Sequence, residues 1–119
     1  MDKYAVGLTG ELKACEYLRN KNYVILDRNV VFKNKGELDI VARDGNCLVF
    51  VEVRTRSDNF FGDPLETVTK SKIKRIVTAS RLYLAERNNN YRYDGYRYDV
   101  IGILRDNIVH IENAFYAKW

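Results

Sequence analysis

Two acidic residues stand inside strongly apolar sequence, with twelve residues between them. Asp39 lies in the run GELDIVA, and Glu52 lies in the run LVFVEV. Carboxylates on an otherwise apolar face are costly unless something binds them. The pair is therefore the first place in this chain to look for chemistry.

Both acids fall on the two strands of a predicted hairpin. Apolar alternation predicts strands over roughly 37–43 and 47–54, and Asp-Gly between two such runs is a strong turn signal. Side chains alternate between the faces of a strand, so Glu37 shares a face with Asp39. The hairpin is the element on which a site would be built.

The register of the hairpin decides how the two acids meet. A two-residue loop at Asp44-Gly45 would place Asp39 opposite Phe50, with Glu52 diagonal to it. A loop at Gly45-Asn46 would place Asp39 directly opposite Glu52. Either loop puts both carboxylates on one face within about 8 Å, whereas a three-residue loop would put them on opposite faces.

A helix is predicted over residues 4–21, and it carries a third acid. Glu11 lies beside an apolar stripe at helical spacing and is either a solvated acid on the helix flank or a side chain that reaches toward the sheet. The stripe consists of Leu8, Leu12, Cys15 and Leu18.

A second helix is predicted from the cap Asp63-Pro64-Leu65-Glu66 to about residue 87, with a break near Thr69. Its inner stripe is Ile73, Ile76, Val77, Ser80 and Leu84, and its basic residues are Lys70, Lys72, Lys74, Arg75 and Arg81. Such a run is either a solvated face or a contact surface. Lys72 lies at the margin of the inner stripe, from which a cation approaches either the acidic end of the hairpin or a phosphate.

The remaining elements complete a mixed α/β sandwich. A strand over 23–32 precedes the hairpin, giving an antiparallel meander, and strands near 100–104 and 108–112 follow the second helix. Helix, three strands, helix and two strands predict helices on both faces of one sheet. Phe60 and Phe61, in the loop after the hairpin, are expected to tuck into the core.

Composition limits the classes of protein. The 119 residues carry a net charge of +4, from 20 basic and 16 acidic residues, which permits a polyanionic partner without requiring one. No apolar run approaches the roughly 18–20 residues of a membrane span, and the N-terminus lacks a signal-peptide pattern. Cys15 and Cys47 lack metal-ligand spacing and are expected to be reduced core residues of a cytoplasmic protein. The single histidine, His110, is expected to be a strand residue.

Asp39 followed by Glu52-x-Arg54 resembles the PD-(D/E)xK nuclease pattern, and a narrower set of motifs resembles the bacterial YraN family over nearly the whole chain. The motifs are, in order, GxxGExxA at 7–14, GELD at 36–39, VFVEVRxR at 49–56, FGxP at 61–64, SK at 71–72 and RYDV at 97–100. The resemblance implies that residues 1–119 form one nuclease-like domain with a restriction-endonuclease-like α/β fold, in the order αβββαββ. It also implies similarity to archaeal Holliday-junction resolvases.

The resemblance implies a Mg²⁺- or Mn²⁺-dependent endonuclease acting on DNA, branched or damaged. Asp39 and Glu52 would be the metal ligands with the Val53 carbonyl, and Glu11 would reach the site directly or through water. Glu37 would support it.

Arg54 departs from the pattern, because it occupies the lysine position of the superfamily and cannot accept a proton, although it can bind phosphate bidentately. The hypothesis is that Lys72, from the second helix, supplies the cation that the superfamily lysine would otherwise provide.

Four basic residues would contact backbone phosphates, namely Arg56, Lys70, Lys74 and Arg75. Tyrosines 91, 93, 96 and 98 would either stack on unpaired bases or pack within the strands and loops. Arg97 and Asp99 share a strand face and predict a structural salt link.

The main alternative is a non-catalytic nucleic-acid-binding module that retains the nuclease fold. Because resolvase-like enzymes make two symmetric cuts, analogy also implies a homodimer.

Overall fold

Two α-helices, one 3₁₀ helix and five strands make up the described part of the chain. The computed structural model describes residues 3–56, 63–86 and 92–117, with side chains from residue 10 onward. The elements are α1 (Lys3–Asn20), β1 (Val24–Phe32), β2 (Gly36–Asp44), β3 (Cys47–Arg56), the 3₁₀ helix η1 (Pro64–Thr67), α2 (Lys70–Glu86), β4 (Gly95–Leu104) and β5 (Asn107–Phe115). The predicted element order and the break before α2 are confirmed.

The strands lie side by side in chain order, β1-β2-β3-β4-β5, and form one mixed sheet. Neighbours are antiparallel except β3 and β4, which run parallel. A parallel pair needs a crossover connection, and the segment containing α2 provides it. The predicted meander of the first three strands is confirmed, with β3 at the centre of the sheet.

The turn between β2 and β3 selects one of the two predicted registers. Asp44 pairs with Cys47, so Gly45 and Asn46 form the loop. Gly45 adopts a φ of 58°, a left-handed conformation that glycine accepts without steric cost. The alternative in which Asp39 faces Glu52 is therefore the one found.

The two helices cover opposite faces of the sheet, as predicted. One core joins α2 to the strands, and the other joins α1 to the alternate strand residues. The first includes Phe50, Leu48, Val41, Ile76, Ala79 and Tyr83. The second includes Val49, Val51, Ile40, Cys15 and Leu18. Leu12 was expected in the inner stripe of α1, but it is 48% exposed, because the helix presents Ala14, Cys15 and Leu18 to the sheet.

Two glycines let the helices approach the hairpin closely. A Cβ on Gly36 would lie 2.2 Å from the backbone oxygen of Arg75 in α2, and one on Gly10 would lie 2.1 Å from Oγ1 of Thr55. Real Cβ contacts are longer, so a side chain at Gly36 would force the backbone of α2 to move, and one at Gly10 would force the Thr55 side chain to move. Gly36 and Thr55 lie toward the acidic end of the hairpin, and both helices are therefore anchored near Asp39 and Glu52.

Some predictions concern residues outside the described ranges. They are the packing of Phe60 and Phe61, the stacking of Tyr91, and the side chain of Leu8 in the stripe of α1. No described helix is long and apolar enough to cross a membrane.

Candidate functional site

Asp39 and Glu52 meet where the ladder between β2 and β3 ends. Its last regular pair is Ile40 with Val51, and the next positions in the same register are the two acids. The Val53 N–H donates to Oδ2 of Asp39 at 2.8 Å instead of continuing the ladder. Glu52 is only 4% exposed. The arrangement places two carboxylates side by side on the face of the sheet that α2 covers.

Burial makes both carboxyl groups reluctant to ionise. It raises the pKa of Glu52 and the neighbouring Asp39 charge raises it further, while Lys72 opposes both, leaving a value of about 7. Burial likewise raises the pKa of Asp39, against the hydrogen bond from Val53. A cation beside the pair would relieve the repulsion and favour the ionised forms of both acids.

Lys72 reaches the pair from the first turn of α2. Its Nζ lies 3.2 Å from Oε1 of Glu52. The helix start is fixed by Thr69, whose Oγ1 accepts from the Lys72 N–H at 3.1 Å. The structure therefore brings Lys72 to the acidic end of the hairpin, one of the two destinations considered from the sequence.

Arg54 approaches the same carboxylate from β3. Its Nη1 is 3.9 Å from Oε1 of Glu52. Its Nε donates to Oγ1 of Thr67 at 2.9 Å, and the Thr67 hydroxyl donates to the Pro64 carbonyl at 2.7 Å. Because the hydroxyl proton is used on Pro64, the lone pairs of Thr67 are available to hold Arg54.

Thr67 is a site residue that sequence reasoning missed. It belongs to η1, which packs on β4 and β5. Its hydrogen bond with Arg54 depends on how η1 packs against the sheet, so no local sequence pattern predicts it.

Glu11 and Glu37 lie near the pair but make no described contact with it. Burial raises the pKa of Glu11, and the charge of Asp39 adds to the effect, so the two carboxylates are within electrostatic range. A hydrogen bond with Asn29 opposes that shift. Glu37 is exposed and lines a cavity of about 180 Å³ together with Lys72.

The basic residues predicted to contact phosphates do not form one cluster. Lys70, Lys74 and Arg75 are exposed on α2, and Arg75 lines the same cavity as Lys72. Arg56 is half-buried at the end of β3. The predicted phosphate contacts therefore lie on the two elements that carry Lys72 and Glu52, three of them on α2 and Arg56 on β3.

Tyr98 is 3% exposed and stacks between Phe50 and Phe115, with ring centroids 5.6 Å and 5.1 Å away. It packs within the core, so the base-stacking alternative is wrong for Tyr98. Tyr96 is exposed.

A divalent metal fits the acid pair. Within residues 3–56, 63–86 and 92–117 no set of three or more His, Cys, Asp or Glu side chains is arranged to hold a metal ion. Mg²⁺ does not need such a set, because it is often bound by one or two carboxylates together with waters and substrate phosphates. Asp39 and Glu52 supply two hard oxygen donors whose mutual repulsion a cation would remove.

A second polar network lies on the opposite face of the sheet. The predicted link between Arg97 and Asp99 is present, with Nε 3.0 Å from Oδ1. His110 joins it with Nε2 2.7 Å from Oδ2 of Asp99, and Arg97 also contacts Asp44 and Tyr23. His110 lies on a strand as predicted, but its role in this network was not foreseen, because it depends on the pairing of β4 with β5.

Comparison with known sequences finds relatives that match nearly the whole chain. The profile of "Uncharacterised protein family UPF0102" matches residues 10–103. A UPF0102 protein of Chlorobium limicola is 45% identical over 127 residues, covering 98% of this chain and 96% of its own length. A UPF0102 protein of Persephonella marina is 40% identical over 116 residues, covering 97% of both chains. One from Flavobacterium johnsoniae is also 40% identical and covers 93% of this chain and 94% of its own.

Proposed function

The chain belongs to the uncharacterised protein family UPF0102, and we propose that it is a Mg²⁺- or Mn²⁺-dependent endonuclease that hydrolyses phosphodiester bonds in DNA. One observation carries the proposal. Asp39 and Glu52 occupy facing positions on paired strands, while Lys72 from α2 and Arg54 from β3 approach the Glu52 carboxylate. Two acids and two cations around one point are the groups that phosphoryl transfer requires.

The topology supports assignment to the PD-(D/E)xK superfamily and its restriction-endonuclease-like fold. In that pattern an acid on one central strand and an acid-x-Lys on the next form the metal site. Here the acids occupy β2 and the central strand β3 in the same order, and α2 crosses over to the parallel strand β4. The same likeness extends to the archaeal Holliday-junction resolvases, which makes branched DNA a substrate to test.

Asp39, Glu52 and the Val53 carbonyl would hold the metal ion. When bound, such an ion polarises the scissile phosphate and activates a water molecule for attack on phosphorus. Because Asp39 and Glu52 lie on one hairpin, they would hold the positive charge of the metal ion at a fixed place. Lys72, which pairs with Glu52 in the structure, would be the cation available to neutralise charge on the phosphate.

Arg54 has the role of a phosphate clamp. Its guanidinium stays protonated, so it does not accept the proton of the attacking water. Thr67 holds Nε and thereby turns the Nη groups toward Glu52, where a non-bridging phosphate oxygen would approach. Lys72 replaces the strand lysine of the superfamily as the second cation.

The test is cleavage of linear duplex, single-stranded and four-way-junction DNA by the purified protein with Mg²⁺ or Mn²⁺. An Asp39→Asn, Glu52→Gln double variant is the control, and it should be inactive. Cleavage that persists in the double variant would come from a contaminant. Absence of cleavage on all three substrates would contradict the proposal.

A non-catalytic nucleic-acid-binding module is the second candidate, and two observations favour it. Arg54 stands where the superfamily has lysine, and Lys72 already supplies a cation to Glu52 at 3.2 Å. Binding of DNA without cleavage in the same assay would support the module.

A further inference from the structure

A mainly apolar pocket of about 130 Å³ lies between η1 and the β4–β5 hairpin, and the hydrolytic mechanism makes no use of it. Gly102 and Pro64 line it and pack against each other, since a Cβ on Gly102 would lie 2.2 Å from Cγ of Pro64. Val109 forms one wall and is 49% exposed. An enclosed apolar cavity of about 150 Å³ accepts a benzene molecule, and this pocket is nearly as large and opens to solvent beside Val109, so a planar ring can be inserted with its outer edge in solvent.

Thr67 connects the pocket to the acid pair. It lines the pocket and accepts the 2.9 Å hydrogen bond from Nε of Arg54. Arg54 in turn lies 3.9 Å from Glu52. Arg56 and Asn107 also line the pocket. An apolar space with polar groups at its margin therefore adjoins the place where a phosphate would be bound.

We propose that this pocket binds an unpaired nucleobase next to the scissile phosphate. A nucleotide joins a planar ring to an anion, and the site joins an apolar pocket to two arginines, so shape and charge are complementary. The amide of Asn107, which lines the pocket, offers both a donor and an acceptor to the polar edge of a base. The inference rests on the proposed function for its choice of nucleic acid as ligand.

This assignment narrows the substrate class. A base in an intact duplex is stacked and paired, and removing it from the stack costs a few kcal/mol. A base in a single strand, a mismatch or a branch point costs least to place in a pocket. The preferred substrate is therefore DNA that presents an unpaired base beside the cleaved bond.

The experiment compares two ligands that differ only in their bases. Fluorescence anisotropy, with Ca²⁺ in place of Mg²⁺, measures binding of a short single-stranded oligothymidylate and of an abasic oligonucleotide of equal length. The proteins are wild type, Val109→Glu, and the matched control Val24→Glu, which alters a residue of similar exposure, 45%, on the other edge strand. Attraction to phosphates is common to both ligands, so it cancels in the ratio of their dissociation constants.

Wild type is expected to prefer the oligothymidylate by about tenfold. Val109→Glu should bring that ratio close to one, while Val24→Glu should keep it. Equal binding of the two ligands by wild type, failure to bind either ligand, or an unchanged ratio in Val109→Glu would overturn the inference.

A second measurement needs no variant and covers the case in which Val109→Glu does not fold. Photo-crosslinking of wild type to an oligonucleotide containing 5-iodouracil should attach the base within residues 102–109 or to η1, and attachment confined to other segments would overturn the inference. The proposed hydrolysis is judged separately. If wild type cleaves DNA but binds the oligothymidylate and the abasic oligonucleotide equally, the pocket assignment is wrong and the proposed hydrolysis stands. If it binds the oligothymidylate tenfold more tightly but does not cleave DNA, the proposed hydrolysis is wrong and the pocket assignment stands.

Discussion

Glu52 is the residue at which the opposing forces of the candidate site meet. Burial and the adjacent Asp39 disfavour its charge, and Lys72 favours it. Lys72 therefore compensates the acid pair, and in the proposed function it would become available to a phosphate once a metal ion takes over that role. This double role makes Lys72 the residue whose replacement is most informative.

Lys72→Ala is expected to abolish DNA cleavage, with a loss of about 10²–10³-fold or more, while Asp39 and Glu52 still bind Mn²⁺. The reason is that the variant removes the cation and leaves both metal ligands in place. Cleavage assays and titration calorimetry with Mn²⁺ give the two readouts. Arg81→Ala, which removes an exposed cation from the same helix at a position with no assigned phosphate contact, is the control, and unchanged cleavage in Lys72→Ala would contradict the assigned role.

Thr67 is a positioning residue, since it acts through Arg54. Thr67→Val keeps the shape but removes the acceptor, and a hydrogen bond to a charged group contributes about 1.5–3 kcal/mol. We expect kcat/KM for DNA cleavage to fall by roughly tenfold or more. Thr67→Ser keeps the hydroxyl and should restore the rate. Equal rates for the Val and Ser variants would show that the bond to Arg54 is not needed.

At the scale of elements, the hairpin was predictable from local sequence and the packing around it was not. Alternation and the Asp-Gly step predicted two strands, and the alternatives for the turn included the register found. Thr67 and His110 were missed because each acts through a side chain on the preceding element, Arg54 on β3 and Asp99 on β4, and only the folded arrangement brings these side chains together. Tyr98 lies between the charged residues Arg97 and Asp99 in the sequence, and only the folded sheet shows that its ring stacks between Phe50 and Phe115.

The approach of α2 to β2 gives a prediction at this scale. Gly36→Ala would place a Cβ against the backbone of Arg75, so α2 must shift, at a cost of about 1–3 kcal/mol in the free energy of unfolding. The shift would also carry Lys72 away from Glu52 and lower any cleavage activity. Gly95→Ala is the matched control, because Gly95 also begins a strand but has nothing within 4 Å of its Cβ position. Urea denaturation measures both, and equal stabilities would contradict the close contact.

At the scale of the whole molecule, the network around Asp99 ties distant parts of the chain together. Asp99 on β4 binds Arg97, His110 on β5 and the Asn113 N–H, and Arg97 extends the network to Asp44 at the hairpin turn. Burial alone would raise the pKa of Asp99, but the hydrogen bonds from His110 and Arg97 and the Arg97 charge hold it below 3.8. The ionised acid is therefore part of the folded state.

Asp99→Asn is expected to lower the free energy of unfolding by about 3–5 kcal/mol at pH 7, because it leaves the buried part of Arg97 without its partner. A lowered pKa means that the stabilising effect is present above 3.8, the ordinary value, and is lost as the pH falls through the lower folded value. The difference between wild type and variant should therefore be constant from pH 7 to 5 and shrink below about pH 4. Chemical denaturation across this range is the measurement.

Asp106→Asn is the control for that series, because the Asp106 side chain is 99% exposed in its contact with Lys13. An exposed ion pair of this kind contributes little to the free energy of unfolding. The Asp106→Asn variant should therefore have the same stability as wild type at every pH. A pH-independent difference between wild type and Asp99→Asn down to pH 2 would contradict the assigned titration.

The parallel pairing of β3 with β4 also sets an order of events during synthesis. The β1–β3 meander is built from neighbours in sequence and is complete by Arg56, whereas α2 and β4 follow later and close a much longer loop. Local contacts form before distant ones, and chains fold from the N-terminus as they are made. A nascent chain would therefore bring its two carboxylates together while Lys72 is still inside the ribosome, when Arg54 on β3 is the one of the two site cations already present.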